Sequence, residues 1–302
     1  MPSQDPPSAG LAASRRRAIL LVLGASATFT LAAAAVKALE GAIPLAQVIL
    51  CRNVFALPLL LALVPRAGGL PALRPKSPRR HLERTFWGLL GMAGAFYGYA
   101  HLPLATVTAL GFTMPLFLTA LSVPLLGERV GWRRWSAVLV GFAGVLVMMR
   151  PGAGEAPLHM PAVALVLAGS VGWAMAMISI RRMGEAGESG VAIVIWFALG
   201  ASAVSALFAV PGWVAPDATQ WALLIVTGLV SAVAQLLMTE AYRRGETTLL
   251  APFEYFAIVW TMAMGAAIWG EWPAAWDFLG VAILVGAGLF IWHREVRLGV
   301  RR

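Results

Sequence analysis

Charged residues are scarce in this sequence. Asp, Glu, Lys and Arg make up 12% of the chain, whereas hydrophobic residues make up 60%. A soluble globular chain carries about 25% charged residues, so this scarcity excludes an ordinary soluble fold. Cysteine occurs once, at Cys51, which excludes an intramolecular disulfide and a Cys-x-x-Cys metal pair. The composition therefore predicts a protein that lies almost entirely within a membrane.

The formal net charge of +9 does not indicate a nucleic-acid partner. A nucleic-acid footprint is a basic patch or stripe on a folded face, whereas the basic residues here lie between apolar runs. We therefore expect no nucleic acid among the partners, which are a lipid bilayer and a small-molecule substrate. The residues leave open whether the chain forms a homodimer.

Signals for catalysis and for metal binding are also missing. The one literal match is Gly187-Glu188-Ser189-Gly190, which spells a serine protease motif in a charged loop, and the only later histidine is His293. A nucleophilic serine needs a base within hydrogen-bond reach, so this match predicts no catalytic site. The other histidines have no metal-ligand spacing. We expect neither an enzyme nor a bound metal or cofactor.

Ten apolar runs are long enough to cross a bilayer or nearly so. Nearly all Lys and Arg fall in the connections on one side of these runs, and only Lys37 and Arg150 fall on the other. Cytoplasmic loops carry the excess of Lys and Arg, so both termini are predicted to be cytoplasmic. The predicted spans, numbered one to ten, are 18–38, 43–64, 85–101, 104–126, 134–149, 158–180, 190–210, 219–240, 247–269 and 274–293.

A Gly-Glu pair recurs at the same place in each half of the chain. Gly127-Glu128 follows span four and Gly270-Glu271 follows span nine, and a tryptophan and a glycine-bearing span come after each pair. Since each half holds five spans, the two pairs fall on opposite sides of the membrane. The sequence therefore predicts two inverted five-helix repeats, which are characteristic of secondary transporters.

Several short motifs together resemble the EamA-type transporters of the drug/metabolite transporter superfamily. They are FYGYAHLPLA at 96–105, FTMPLF at 112–117 and LGERV at 126–130, with APFEY at 251–255 and GEWP at 270–273 in the second half. Their order and duplication carry the resemblance, which covers the chain from about residue 18. These motifs are similar to those of the bacterial riboflavin and S-adenosylmethionine uptake branches of the family. The resemblance implies a ten-helix carrier of the bacterial inner membrane, with a cavity lined by spans one, three, four, six, eight and nine.

These patterns divide the chain into four predicted segments. Residues 1–17 form a disordered cytoplasmic tail, 18–150 the first repeat, 158–293 the second repeat, and 294–302 a basic cytoplasmic tail. Arg15 to Arg17 before an apolar run also fit a signal peptide, but the run is longer than the usual apolar region of such a peptide. The first repeat needs this run as its fifth helix, so we favour a transmembrane helix.

Two charged residues lie inside predicted spans. Glu254 falls in span nine and Arg52 in span two. A charged side chain at the bilayer centre costs about 2.5–3.5 kcal/mol on insertion scales, so each is expected to face protein or a water-filled cavity. Glu254 is a candidate for proton coupling or for binding a polar or cationic group, and Arg52 for binding an anion. The alternative is structural: the two pair with each other, Glu254 stays protonated, or Arg52 caps free carbonyls.

Prolines and aromatic residues extend this candidate site. Pro115 in span four and Pro252 in span nine interrupt helices in matched regions, and such breaks indicate the binding site of a carrier. A flat solute can stack on aromatic rings near the breaks. On span eight, Thr227, Ser231 and Gln235 recur every four residues and form one inward polar face. The predicted substrate-binding residues are Arg52, Tyr97, Phe112, Trp173, Gln235, Glu254 and Tyr255, with Pro115 and Pro252 as helix breaks.

The function expected from the sequence is secondary transport of a small organic metabolite by alternating access. Riboflavin and S-adenosylmethionine-like solutes are the leading candidates, on the resemblance. An exporter of amino acids or related metabolites and drugs is one alternative. A membrane receptor or scaffold that transports nothing is the alternative from another class.

Overall fold

The structure is a computed structural model that describes residues 7–39, 41–102, 107, 110–149, 159–270 and 275–294. These described residues are helical apart from short connections, and they contain no strand. Two short 3₁₀ turns, Pro65–Ala67 and Leu70–Leu73, lie between the second and third α-helices. The α-helices are α1 Pro7–Lys37, α2 Leu45–Ala62, α3 Pro78–His101, α4 Met114–Leu126, α5 Trp132–Met149, α6 Met160–Glu185, α7 Gly190–Ala209, α8 Ala218–Arg244, α9 Thr247–Glu254, α10 Ala257–Trp269 and α11 Ala275–Trp292.

The described chain has seven helices that are long and apolar enough to cross a membrane. One of them runs through α9 and α10 together, from Thr247 to Ile268. Predicted spans three, four and five, which correspond to α3, α4 and α5, are not among the seven. The described part of span four is short because α4 has 13 residues. Large apolar side chains such as Leu207, Phe208 and Phe278 are exposed on the outside of the bundle, as expected of a lipid-facing surface.

Helices of the first half (α1 to α5) pack against helices of the second half (α6 to α11) in a reciprocal pattern. α1 packs against α8 and α10, and α6 packs against α3 and α4. α2 packs against α7, and α5 against α11. Exchanging the halves exchanges these pairs, because α1 then takes the place of α6, α3 that of α8 and α4 that of α10. The halves therefore interlock in a two-fold arrangement.

The last two helices of each half have boundaries that match residue by residue. α10 begins and ends 143 residues after α4, and both have 13 residues. Gly127 ends α4 with φ 66° and Gly270 ends α10 with φ 68°, a left-handed conformation that favours glycine. α5 and α11 both have 18 residues and start at the same offset. The repeat predicted from the Gly-Glu pairs thus has a counterpart in the helix boundaries, although Glu271 lies outside the described residues.

Glycines allow α3 and α6 to approach closely. A Cβ atom built on Gly94 would lie 2.5 Å from the Leu165 carbonyl oxygen and 2.8 Å from the Cα atom of Gly169. Gly91 and Gly172 are similarly close to backbone atoms of the opposite helix. Such small-residue contacts let membrane helices gain van der Waals contact along their backbones.

Helix starts differ from the prediction at two places. α1 begins at Pro7, so it includes residues 7–17, which the sequence assigns to a tail. α3 begins at Pro78, seven residues before predicted span three, so Arg84 lies within the helix. Its side chain is buried, whereas the sequence placed Arg84 among the cytoplasmic loop charges. Residues 1–6, the 150–158 junction between the predicted repeats and the tail from 295 lie outside the described residues.

Candidate functional site

A central cavity lies between the two halves. It consists of two adjoining spaces of ≈ 390 Å³ and ≈ 450 Å³, which share the lining residues Arg52, Trp173, Glu254 and Ala257. The first space extends along α3, α4 and α6, and the second along α1, α2 and α8. Ligand pockets that bury a small molecule are typically about 300–1,000 Å³. The cavity is therefore large enough for a small organic solute.

Four of the seven predicted substrate-binding residues line this cavity. Arg52, Trp173 and Glu254 line both spaces, and Phe112 lines the first together with Pro115. The resemblance implied a lining by predicted spans one, three, four, six, eight and nine, and the structure adds α2 through Arg52. Thr227 and Ser231, from the polar face predicted on span eight, line the second space.

The other predicted binding residues lie at different places. Tyr97 is partly exposed at the end of α3, and its ring stacks on His101 at 4.0 Å between centroids. Gln235 lines a small side cavity with Arg52 and Ser231. Tyr255 is fully buried behind the first space, where its ring lies 5.9 Å from the ring of Phe112. Pro252 is buried within α9 and is not among the residues that line the two spaces.

The two charged residues of the cavity have separate partners. The Tyr242 hydroxyl donates a hydrogen bond to Glu254 Oε1 at 2.6 Å. The Arg52 guanidinium lies 5.9 Å from the ring centroid of Phe29, a cation–π distance. The described side chains of Arg52 and Glu254 form no ion pair with each other. The alternative that they exist only to neutralise one another is therefore not supported.

A helix is interrupted at equivalent positions of the two halves, and both interruptions adjoin the cavity. The helical turns before α4 end at Phe112 and Thr113, and α9 is separated from α10 by Tyr255 and Phe256, 143 residues later. A proline follows the break in the first half (Pro115) and precedes it in the second (Pro252). Broken helices leave backbone groups without helical partners, which is tolerated within a membrane where they line a cavity.

A cluster of charged residues joins the two halves beside the start of α9. We call it the Glu246 cluster; it comprises Arg15, Glu128, Arg134, Glu246 and Thr248. The carboxylate of Glu246 accepts from Arg15 at 2.8 Å and from Arg134 at 2.7 Å, and Arg134 also donates to the Thr248 hydroxyl. Glu128 accepts from the backbone N–H groups of Thr247 and Thr248 at 2.7 and 2.8 Å. A carboxylate at a helix N-terminus satisfies unpaired N–H groups and the helix dipole.

The Glu246 carboxyl lies in the connection between α8 and α9. Burial alone would raise its pKa, but the positive charges and hydrogen bonds of Arg134 and Arg15 outweigh burial and hold the pKa below its usual range. Because the pKa is lower in the folded than in the unfolded chain, the ionised carboxylate stabilises the fold at neutral pH. That contribution is lost as the pH falls through the folded-state value.

A Glu246→Gln variant is expected to melt at a lower temperature than the wild type at pH 7. The loss is about 1 kcal/mol, because hydrogen bonds to charged groups are strong but the Glu246 side chain is partly solvent-screened. The difference should shrink as the pH is lowered into the range where carboxyl groups protonate. Thermal melting of the detergent-purified variant and wild type, at pH 7 and at the lower pH, measures the difference in melting temperature. Glu185→Gln, which removes an exposed carboxylate paired with Arg181, is the control and should have little effect at either pH.

A scan against protein-family models supplies the deciding observation. The model described as the EamA-like transporter family matches twice, at residues 16–150 and 160–292. The chain belongs to the EamA-like transporter family. The resemblance drawn from the sequence motifs is thereby confirmed. The protein is a multi-pass membrane transporter of that family and not an enzyme.

Curated relatives of this EamA-like transporter bear several names. A riboflavin transporter of Rhizobium johnstonii is 32% identical over 247 residues, which cover 80% of this chain and 78% of the relative. An S-adenosylmethionine uptake transporter of Rickettsia prowazekii is 29% identical and covers 75% of this chain and 76% of its own. A pseudopaline exporter of Pseudomonas aeruginosa is 31% identical and covers 89% and 93%. By name, the relatives thus include an uptake transporter and an exporter.

A solved crystal structure shares the fold of this EamA-like transporter. It superimposes with a TM-score of 0.80 at 23% sequence identity and covers 93% of this chain and 98% of the other. The match over nearly the whole length supports the helical arrangement described above.

The contacts of three residues were not predicted from the sequence. Arg84 is 3% exposed and lies over the ring of Phe197 at 4.1 Å. Tyr242, the partner of Glu254, and the cap formed by Glu128 also appear only in the fold. For Arg84 a signal existed: Ser77-Pro78 is a typical helix start, since proline is favoured in the first turn. The other two depend on contacts between distant segments.

Proposed function

We propose that this transporter is a secondary carrier with ten transmembrane segments, built from two inverted five-helix repeats, residues 18–150 and 158–293. It moves a small organic metabolite across the bacterial cytoplasmic membrane by alternating access, and both termini are cytoplasmic. The observation that carries the proposal is the central cavity, which both halves line at equivalent helix breaks. Carriers built from inverted repeats place their site at such breaks near the middle of the membrane.

The Glu246 cluster supports alternating access. It connects α1 and α5 of the first half with the α8–α9 connection of the second, on the side where the positively charged connections lie. Rocking of the halves about the cavity must break these contacts to open the cytoplasmic side. A small set of hydrogen-bonded charges is suited to this because it can exchange protein partners for water.

The leading substrates are riboflavin and S-adenosylmethionine-like solutes. The relatives' names suggest both, and the cavity has matching chemistry. Trp173 and Phe112 offer rings on which a flat aromatic group can stack, and Arg52 and Glu254 offer a charge of each sign for polar groups. Proton coupling through Glu254 is part of the proposal. Export of amino acids or related metabolites is a second candidate, favoured by the similarity to the pseudopaline exporter over most of both chains.

The test is thermal stabilisation of the purified protein by riboflavin, S-adenosylmethionine, amino acids and quaternary amines. A ligand at roughly a hundredfold its Kd stabilises a protein by about 2.7 kcal/mol, a readily measured shift. Trp173→Ala is expected to lower the affinity of the bound solute about tenfold, because a ring stack and its buried area are lost. Trp213→Ala, which removes an exposed tryptophan that does not line the cavity, should leave the affinity unchanged.

Counterflow in proteoliposomes then separates a carrier from a receptor. Proteoliposomes that contain a carrier and are preloaded with unlabelled solute accumulate the labelled form of the same solute from outside. The solute used is the one that stabilised the protein. If a solute binds in the cavity but shows no counterflow, the proposal of a carrier is wrong and the non-transporting receptor takes its place. Equal binding by wild type and Trp173→Ala would contradict the proposed site.

A further inference from the structure

Arg52 has no anionic partner among the described residues. Arg52 lines both spaces of the central cavity and the small side cavity, and its guanidinium lies 5.9 Å from the centroid of the Phe29 ring. An arginine within a membrane is costly unless an anion, a carbonyl or water satisfies its donors. The described contacts of the Glu254 carboxylate include the Tyr242 hydroxyl and no ion pair with Arg52.

A second guanidinium adds positive charge at the same place. Arg84 donates to Gln235 Oε1 at 3.4 Å, and Gln235 lines the side cavity together with Arg52. Arg84 is held by Gln235 and by the ring of Phe197, so its own position does not depend on a solute. The side cavity therefore adjoins two guanidinium groups, and no carboxylate is among the described residues that line it.

An unpartnered hydroxyl points to a ligand at the same location. Ser231 is 3% exposed, and its Oγ is buried without a hydrogen-bond partner. Ser231 lines the second space and the side cavity, in both cases together with Arg52. Buried polar atoms are nearly always hydrogen-bonded, so an orphaned hydroxyl beside a cationic group marks a place for an acceptor.

From these three observations we infer that Arg52 and Ser231 form an oxyanion subsite in the cavity, and that the transported solute carries a carboxylate or another anionic oxygen group. The planar guanidinium of Arg52 donates two parallel hydrogen bonds to the oxyanion, and the Ser231 hydroxyl donates a third. Arg84 does not contact the solute and acts as a positioning residue whose charge raises the local positive potential. This inference rests on the proposed carrier function and narrows its substrate class.

Matched pairs of ligands test the subsite. S-adenosylmethionine is compared with its decarboxylated analogue, and flavin mononucleotide with riboflavin, by thermal stabilisation and equilibrium binding to the purified full chain. The first pair differs by a carboxylate and the second by a phosphate, so the two arms distinguish the kinds of oxyanion. The anionic member of at least one pair is expected to bind at least tenfold more tightly, a difference of about 1.4 kcal/mol.

Variants assign that preference to residues. Arg52→Gln is expected to abolish it, and Arg52→Lys to weaken it because lysine keeps the charge without the planar fork. Ser231→Ala should reduce it, and Arg84→Gln should reduce binding of the anionic member alone, with recovery in Arg84→Lys. Arg129→Gln removes an exposed arginine and is the matched control. Each variant is first shown to be monodisperse and to melt cooperatively.

The subsite is overturned if neither anionic compound binds better than its partner, or if the preference persists in Arg52→Gln. The carrier proposal is tested separately, by counterflow. Counterflow of an anionic solute that is unchanged in Arg52→Gln would preserve the carrier and reject the subsite. Binding that depends on Arg52, without counterflow of any solute, would preserve the subsite and reject the carrier.

Discussion

Replacing Glu254 by glutamine is expected to lower proton-driven accumulation of the solute at least tenfold while the protein remains folded. Glutamine has nearly the same size as glutamate, and its carbonyl oxygen still accepts the hydrogen bond from Tyr242, 2.6 Å from Oε1. The variant loses only the ability to release and bind a proton. Since Glu254 lines both spaces of the cavity, this loss removes the link between solute and proton. Accumulation in proteoliposomes with an imposed pH gradient measures it.

Two variants control for this result. Tyr242→Phe removes the hydrogen-bond donor and keeps the carboxyl group, so it should retain coupling. Glu83→Gln removes a carboxylate that pairs with Arg79 at the surface of α3, and it should behave as the wild type. Full pH-driven accumulation by Glu254→Gln would show that another group, or no proton at all, couples transport.

Replacing Gly94 by valine is expected to separate α3 from α6 and to prevent stable folding. The added Cβ would lie 2.5 Å from the carbonyl oxygen of Leu165, a backbone atom that cannot turn away as a side chain can. Overpacking of a well-packed contact costs about 1–3 kcal/mol, and more where backbone must move. Because Trp173 is on α6 and packs over Gly91 of α3, the cavity wall should be disturbed as well. The yield of monodisperse protein and its melting temperature report the change.

Gly286→Val is the matched control for that experiment. Gly286 is exposed in α11, and a Cβ built there meets nothing within 4 Å. Both changes introduce valine into a helix, so they share the same cost or benefit in helix propensity. A similar melting temperature for the two variants would mean that close approach of α3 and α6 is unimportant for stability.

Much of the architecture was accessible from the sequence because membrane helices reveal themselves by long apolar runs. The positions of the breaks were less accessible. Pro252 predicts an interruption in span nine, yet α9 continues to Glu254 and the break falls at Tyr255 and Phe256. Proline removes one backbone donor but does not decide where neighbouring helices cover the freed groups. The break at Tyr255 and Phe256 lies 143 residues after the one at Phe112 and Thr113. Its position therefore follows from the duplicated fold and not from the proline.

The candidate site was predictable where a residue is unusual for its surroundings. Glu254 and Arg52 stand out because charges inside spans are rare, and both line the cavity. Arg84 was hidden because three charged residues, Arg79, Arg80 and Glu83, precede it on α3, which makes the helix start resemble a loop. Contacts such as Tyr242 with Glu254, or Glu128 with the start of α9, join segments that the linear sequence does not relate.

The two breaks also differ in one respect that bears on how a solute is oriented. At the position equivalent to Glu254, 143 residues earlier, the first half has Gly111, which lines the cavity and leaves open space where a side chain would be. A strictly symmetric pair of halves would present the same carboxylate twice and would accept a solute in two opposite poses. The duplicated frame is suited to motion in both directions, whereas the carboxyl group that lines the cavity in only one half gives the solute a preferred orientation.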